Sequence, residues 1–270
     1  MSARHSLKCI TALTIAVLLV LLSGCGETLP GGSTTSGDDA PAGIYTNATQ
    51  DTSSTTSTAP RYTMPTQISN PLTVPHIAQN PNFPTGCESV STVMMLQYWG
   101  VDITVNDFID NHLLCGRSPY GQGAEFLGDD PRKVFLGNPR SEDGWGCYAP
   151  TIVSAIRSIP QASSLVVEEL YNVPLSTLCR DYIDEGIPVV IWATISMGKA
   201  SPGKQWKLAD TGVMFTDWVL PMHALVLVGY DDTYYYFNDP MTSAPAHKYT
   251  KIAAETAYSA LGQQAVLVKP

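Results

Sequence analysis

Three residues of this chain are of the types and in the settings that acyl-transfer chemistry requires. Cys87 lies in the run Asn82-Phe-Pro-Thr-Gly-Cys-Glu-Ser-Val-Ser91. Thr85 is a good helix N-cap, and Glu88, three residues on, completes a Thr-x-x-Glu capping box. This predicts Cys87 in the first turn of a helix, where free backbone N–H groups and the macrodipole favour an anion. A thiol there is expected to lose its proton more readily, and the thiolate is the nucleophile. Downstream, His223 opens an apolar strand and Asp239 closes the next one. An acid held against one imidazole nitrogen fixes the tautomer and leaves the other nitrogen to take the thiol proton. Together these are the parts of a cysteine-nucleophile hydrolase.

The hairpin between the two strands is expected to bring His223 and Asp239 together. With a turn centred near Asp231, antiparallel partners sum to about 462, and 223 and 239 satisfy that sum. A one-residue slip would put Asn238 opposite His223 instead, because successive side chains face opposite ways. Taken singly each feature is weak, since a cysteine in a helix is more often a small buried hydrophobe. Their conjunction is the signal.

The elements that must hold these residues follow from periodicity. Val74 to Gln79 is extended, and Gly86 to Trp99 carries apolar residues at helical spacing with Gly100 as its stop. Asp102 to His112 and Ala149 to Ser158 are further helices, and Leu175 to Glu185 is an amphipathic one ending at Gly186. Cys115 to Trp145 is loop-like, a long insertion of the kind that often walls a cleft. Strands are expected at Leu165 to Leu170, Ile187 to Ile195, Met222 to Tyr230, Tyr234 to Asn238 and Ala265 to Val268. Helices first and antiparallel strands later indicate an α+β domain.

The N-terminus sets the compartment. Arg4, His5 and Lys8 precede an apolar stretch from Cys9 to Leu22, too short to span a bilayer but suited to a secretory h-region. It ends in Leu22-Ser23-Gly24-Cys25, which resembles a bacterial lipobox. Residues 1–24 are therefore expected to be a lipoprotein signal peptide and Cys25 the lipidated residue, anchored through acyl chains on the extracytoplasmic side of a bacterial membrane. Residues 25–70 are rich in Ser, Thr, Gly and Pro and poor in apolar residues, so a disordered tether is expected there. Residues 71–270 form the one domain with a proper core.

The full chain has 15 basic and 24 acidic residues; without Arg4 and Lys8 the count is 13 against 24, a net of −11. That balance argues against nucleic acid and against electrostatic adhesion to anionic lipid. No cofactor or metal is expected: His76, His112 and His247 are scattered, without a Cys-x-x-Cys or His-x-x-x-His pair. A serine nucleophile elbow, Gly-x-Ser-x-Gly, is absent. Cys115 and Cys147 bracket the insertion and could bridge in an oxidising exterior. Closing that loop of about 32 residues would contribute roughly 3–4 kcal/mol in the chain-entropy picture. Cys179 reads as core, and Met197 to Trp218 as a polar loop near the cleft.

The runs Val-Pro-His-Ile-Ala-Gln-Asn, Phe-Pro-Thr-Gly-Cys-Glu-Ser-Val-Ser, Met-His-Ala-Leu-Val-Leu-Val-Gly-Tyr-Asp-Asp and Phe-Asn-Asp-Pro resemble the papain-like cysteine peptidases related to the bacteriocin-processing, double-glycine-leader peptidases. The resemblance covers about residues 72 to 268. It implies a papain-like fold with the catalytic helix packed on an antiparallel sheet. It also implies Cys87 as nucleophile, His223 as general base and acid, and Asp239 as the orienting acid. Gln79, eight residues before the nucleophile, matches the position whose amide helps form the oxyanion hole, where removing a donor costs on the order of 10²–10³ in rate. Leader peptidases of this kind are usually fused to an exporter, and this chain shows neither exporter helices nor a Gly-Lys-Ser/Thr loop. Double-glycine cleavage is therefore not carried over. The expected substrate is a peptide or protein and the expected state a monomer. An amidase of cell-wall peptides, an acyl transferase with the same triad, and a catalytically silent surface binding protein remain open readings.

Overall fold

The computed structural model describes residues 70–270. The expected signal peptide, Cys25 and all but the last residue of the tether lie outside them.

Five helices and a six-stranded sheet frame the domain. Helix α1 is Cys87–Tyr98, α2 Val105–Asn111, α3 Ala149–Arg157, α4 Leu175–Leu178 with a wider turn continuing over Cys179–Ile183, and α5 Lys251–Ala260. The sheet strands are β1 Val166–Leu170, β2 Val189–Thr194, β3 Met222–Tyr230, β4 Tyr234–Asn238, β5 His247–Thr250 and β6 Ala265–Lys269. Their order across the sheet is β5-β4-β3-β2-β6-β1, every neighbouring pair antiparallel.

Both faces of the sheet are covered, which is why β2 and β3 read as unbroken apolar runs. Val190 and Trp192 with Ala224, Val226 and Val228 face one core, shared with α1 and α3. Val189, Ile191 and Ala193 with Leu225 and Leu227 face the other, shared with α4 and α5. Alternation divides the same strands between two interiors. Helix α1 ends where expected: Gly100 has φ +79, the left-handed geometry of a C′ residue, and its N–H bonds to the Gln97 carbonyl.

Between Asp239 and Ala265 the sequence pattern assigns no element, yet β5 and α5 form there. Thr250 Oγ1 caps α5 by accepting from the Ala253 N–H. Its buried face is Ala254, Ala257 and Tyr258. Alanine gives that stripe too little contrast for periodicity to stand out.

The 115–145 insertion is held by short ladders. Cys115–Gly116 pairs with Phe135–Leu136, and Leu127–Gly128 with Trp206–Leu208. Ser201–Pro202 pairs with Val219–Leu220, immediately before the cleft strand β3.

Candidate active site

The hairpin β3–β4 does not have the register expected. Asp231 Oδ1 accepts the N–H groups of Thr233 and Tyr234, so the turn begins at Asp231 rather than centring on it. Val226 pairs with Asn238 and Leu227 with Phe237, and the register shifts between Leu227 and Gly229. His223 therefore does not lie directly opposite Asp239; its cross-strand partner is Ala193 of β2. Asp239 instead reaches His223 diagonally from just past the end of β4, and His223 Nε2 and Asp239 Oδ1 lie 2.7 Å apart with both residues buried.

The Asp239 carboxylate has further donors. The Met241 N–H donates to Oδ1 at 2.8 Å and the Tyr249 hydroxyl to Oδ2 at 2.8 Å. Burial alone would raise its pKa, but the His223 hydrogen bond and charge, with these two donors, outweigh that and hold it at about 2. An ionised acid on Nε2 keeps the proton on that nitrogen and leaves Nδ1 as the acceptor. Asn238, the alternative partner in the sequence reading, turns away: its side chain donates to the Val74 and Pro75 carbonyls and accepts from the Ala246 N–H.

Cys87 is the first residue of α1, as expected, but the capping box is not formed. Gly86 occupies the N-cap, and the Thr85 hydroxyl donates to the Ser141 carbonyl at 2.9 Å. Glu88 is buried and does not fold back on the helix end. Its Oε1 accepts the Cys147 N–H at 2.9 Å, and its Oε2 accepts from the Cys87 thiol at 3.3 Å. The helix docks on β3 through the Ala224 carbonyl, which accepts from the Ser91 hydroxyl at 3.0 Å. Cys87 and Ser91 are four apart and share a helix face.

The electrostatics of the thiol reverse the expectation from the helix terminus. Burial pushes Cys87 well above its ordinary value and the adjacent Glu88 carboxylate adds to this, while the Ala224 N–H acts only partly against them. Glu88 is itself raised by burial, against the Cys147 N–H and the charge of His223. Both burial and the carboxylate favour the proton staying on the Cys87 sulfur. A helix terminus contributes only a fraction of a charge, which burial and the neighbouring Glu88 carboxylate outweigh.

Gln79 is strapped to the same corner. Its backbone N–H donates to the Pro240 carbonyl at 2.8 Å, and His76 Nε2 lies 3.1 Å from the Asp239 carbonyl. The Gln79 Nε2 donates to the Pro84 carbonyl at 2.9 Å, and its buried Oε1 has no partner. A buried amide with unused hydrogen-bonding capacity is uncommon in a merely structural position.

Cys115 and Cys147 do not bridge: both are free thiols, Cys115 exposed and Cys147 buried. The Cys147 backbone is fixed inside the core by Glu88 on its N–H and by Trp192 Nε1 on its carbonyl at 2.8 Å. The loop that a disulfide was expected to pin is held by backbone ladders, with the Leu136 N–H on the Gly146 carbonyl and the Trp145 N–H on the Leu136 carbonyl.

Sequence reasoning missed Tyr249, which sits in the stretch assigned no element, and His76. It also missed Ser91, which the four-residue spacing from Cys87 could have found. Glu88 was noticed but given the wrong partner.

Two measurements follow from this electrostatic arrangement. Glu88→Gln keeps an acceptor for the Cys147 N–H and removes the charge that suppresses the thiolate, so Cys87 should alkylate several-fold faster than wild type at pH 7–8. An unchanged or slower rate by peptide mass spectrometry would show that the carboxylate does not hold the thiol proton. Asp239, depressed in the folded state, contributes stability that is present above its unfolded pKa near 3.9 and is lost as pH falls towards 2. That contribution is about 2.6 kcal/mol, and Asp239→Asn should be less stable than wild type at pH 7 by roughly this amount, with a shallower decline between pH 4 and 2. Urea titrations at several pH values check it.

The chain and its fold have counterparts in known proteins. A Bacillus subtilis (strain 168) protein, the uncharacterized YvpB, is 27% identical over 189 residues, 70% of this chain and 71% of its own length. The crystal structure of a C39-like Bacillus anthracis protein superposes with a TM-score of 0.62 at 22% identity, covering 75% of this chain and 98% of the other. The peptidase domain of Streptococcus ComA, a bi-functional ABC transporter, matches with a TM-score of 0.42 at 13% identity, covering 72% of this chain and 97% of that one. The sequence profile described as the Peptidase_C39 like family matches residues 71–266, so the chain belongs to that family and carries its α+β, papain-like fold.

Proposed function

We propose that the chain is a lipid-anchored, extracytoplasmic cysteine peptidase that cleaves peptide bonds through a thioester on Cys87. The observation that carries this reading is the buried His223–Asp239 pair at 2.7 Å, on the strand whose Ala224 carbonyl seats the helix that begins at Cys87. Family membership supports the cysteine-peptidase fold; the roles below rest on the geometry.

In this reading the resting thiol gives its proton to His223 Nδ1 as substrate enters, while Asp239 holds the opposite nitrogen and stabilises the imidazolium. The sulfur attacks the scissile carbonyl carbon. Negative charge develops on the carbonyl oxygen, where the Cys87 backbone N–H and the Gln79 side-chain amide would donate. The C–N bond then breaks, and the leaving amine takes its proton from His223. Water, deprotonated by the same imidazole, attacks the thioester, releasing the acid and restoring the thiol. An amidase or an acyl transferase would use the same steps with a different acyl donor or acceptor.

Cys87→Ala should abolish cleavage of a peptide library by the purified full chain while moving the Tm by only a few degrees. A large drop in Tm would mark Cys87 as a packing residue, and retained cleavage would reject the nucleophile assignment. For the anchor, the chain expressed in bacteria should fractionate with membranes and incorporate a labelled fatty acid, and Cys25→Ser should lose both. Incorporation that persists in the variant would remove Cys25 as the site.

A further inference from the structure

Beside the candidate catalytic residues lies a second feature that the chemistry above does not use. A cavity of about 270 Å³ is lined by Gly144, Trp145, Lys204, Trp218 and Leu220. Two of its walls lead straight into the site. Trp145 precedes Gly146, where an added Cβ would lie 2.5 Å from Glu88 Oε1 and 2.5 Å from Met222 Cε. Gly146 also has φ +114, so no other residue fits well there. That places the chain next to Trp145 against the carboxylate that holds the Cys87 thiol. The opposite wall, Leu220, is followed by Pro221, Met222 and then His223.

The cavity floor is apolar and rigid. Trp145 packs against Trp206 and Trp218 with ring centroids 5.9 Å away in each case, and Trp206 and Trp218 are 5.8 Å apart. Trp206 Nε1 donates to the Asp129 carbonyl, and the Gly203 N–H donates to the Trp218 carbonyl. Trp145 is only part-buried and Leu220 is 41% exposed, so apolar surface faces solvent directly beside the nucleophile. At the rim the Lys204 ammonium stands 5.6 Å from the Phe126 ring centroid and 6.0 Å from that of Trp145. Among the described residues no carboxylate lies within 4.0 Å of it. In a chain of net charge −9, this is a cation that no carboxylate of the described residues pairs.

We propose that this cavity is a specificity subsite. It takes a bulky apolar or aromatic side chain of the substrate peptide between Trp145 and Leu220, with a carboxylate of the same peptide on Lys204. This deepens the peptidase reading and rests on it. A larger cavity of about 430 Å³ is lined by both Arg132 and Asp217, and Arg132 is already held by Asp130 through two hydrogen bonds from its guanidinium, so it presents no lone cation. The 270 Å³ volume suits one side chain and its neighbour rather than a folded partner.

The test uses the purified full chain and internally quenched peptides that vary one position at a time. At one position near the scissile bond, Phe, Trp or Leu should raise kcat/KM over Gly by about 10- to 100-fold, the discrimination an apolar pocket can supply. Trp145→Ala should erase that preference mainly through KM, compressing the ratio of kcat/KM between the Phe and Gly peptides to within about twofold. Lys204→Glu should turn a several-fold preference for a neighbouring Asp or Glu into one for Lys, an effect that shrinks as salt rises. Comparing free and amidated peptide C-termini tells which carboxylate Lys204 reads. A preference for Gly, or an equal loss on every peptide in Trp145→Ala together with no charge effect in Lys204→Glu, overturns the subsite. To separate it from the peptidase reading, binding of an apolar acidic peptide to the Cys87→Ala chain is followed by tryptophan fluorescence. Trp145- and Lys204-dependent binding without any cleavage by wild type would sustain the subsite and reject the peptidase. Absence of such binding would reject the subsite.

Discussion

A buried carboxylate is the constraint around which this domain is arranged. Asp239 is almost wholly removed from solvent, and an ion in that setting is tolerated only if the protein replaces the water it lost. The replacement is drawn from separate parts of the chain: His223 from β3, the Met241 N–H from the corner itself, and the Tyr249 hydroxyl from β5. The backbone carbonyl of the same residue holds His76, and the next carbonyl holds the Gln79 N–H. Satisfying one charge thus fixes the edge of the sheet, the histidine and the lead-in strap in a single geometry. The sheet order β5-β4-β3-β2 follows, because β4 must lie between the strands that supply its two side-chain donors.

The second arrangement is the seating of α1 on the Ala224 peptide unit. Ser91 donates to its carbonyl, so the start of the helix is placed against the residue next to His223. What the seating does not do is activate the thiol. Burial and the Glu88 carboxylate both favour the proton staying on sulfur. The dipole of a helix start is typically worth 0.3–1 kcal/mol, on the order of a tenth to a quarter of what two unit charges in contact exchange at an effective dielectric near 20. Glu88 is retained inside because it also satisfies the Cys147 N–H, whose carbonyl is in turn held by Trp192. One side chain therefore couples Cys87 to the wall that carries Trp145.

Legibility in the sequence tracked the range of the interaction. Helix α1, its stop at Gly100, strands β2, β3, β4 and β6 and the pairing of His223 with Asp239 were all readable, because periodicity and turn residues act within a few positions. The hairpin shows the limit of such reading. The contact formed although the assumed register was wrong, since the Asp231 side chain moved the turn and Asp239 compensated by reaching diagonally. Helix α5 escaped because alanines carry little hydrophobic contrast, and Tyr249 escaped with it. The disulfide was arithmetic on cysteine spacing, and the structure answers with one exposed thiol and one buried thiol.

The sequence by itself determined the residue types of the site, their order and the α+β class, because these depend on local pattern and on side-chain chemistry. Only the tertiary structure decided which donors surround Asp239, where Glu88 points and what state the Cys87 thiol rests in. The reason is physical: the protonation of a buried group depends on desolvation and on charges brought near by folding, which no local pattern encodes. Glu88 illustrates the difference. Its spacing from Thr85 is that of a helix cap, but once the fold put the Cys147 N–H and the thiol within reach, a buried carboxylate had better partners there than at the helix end.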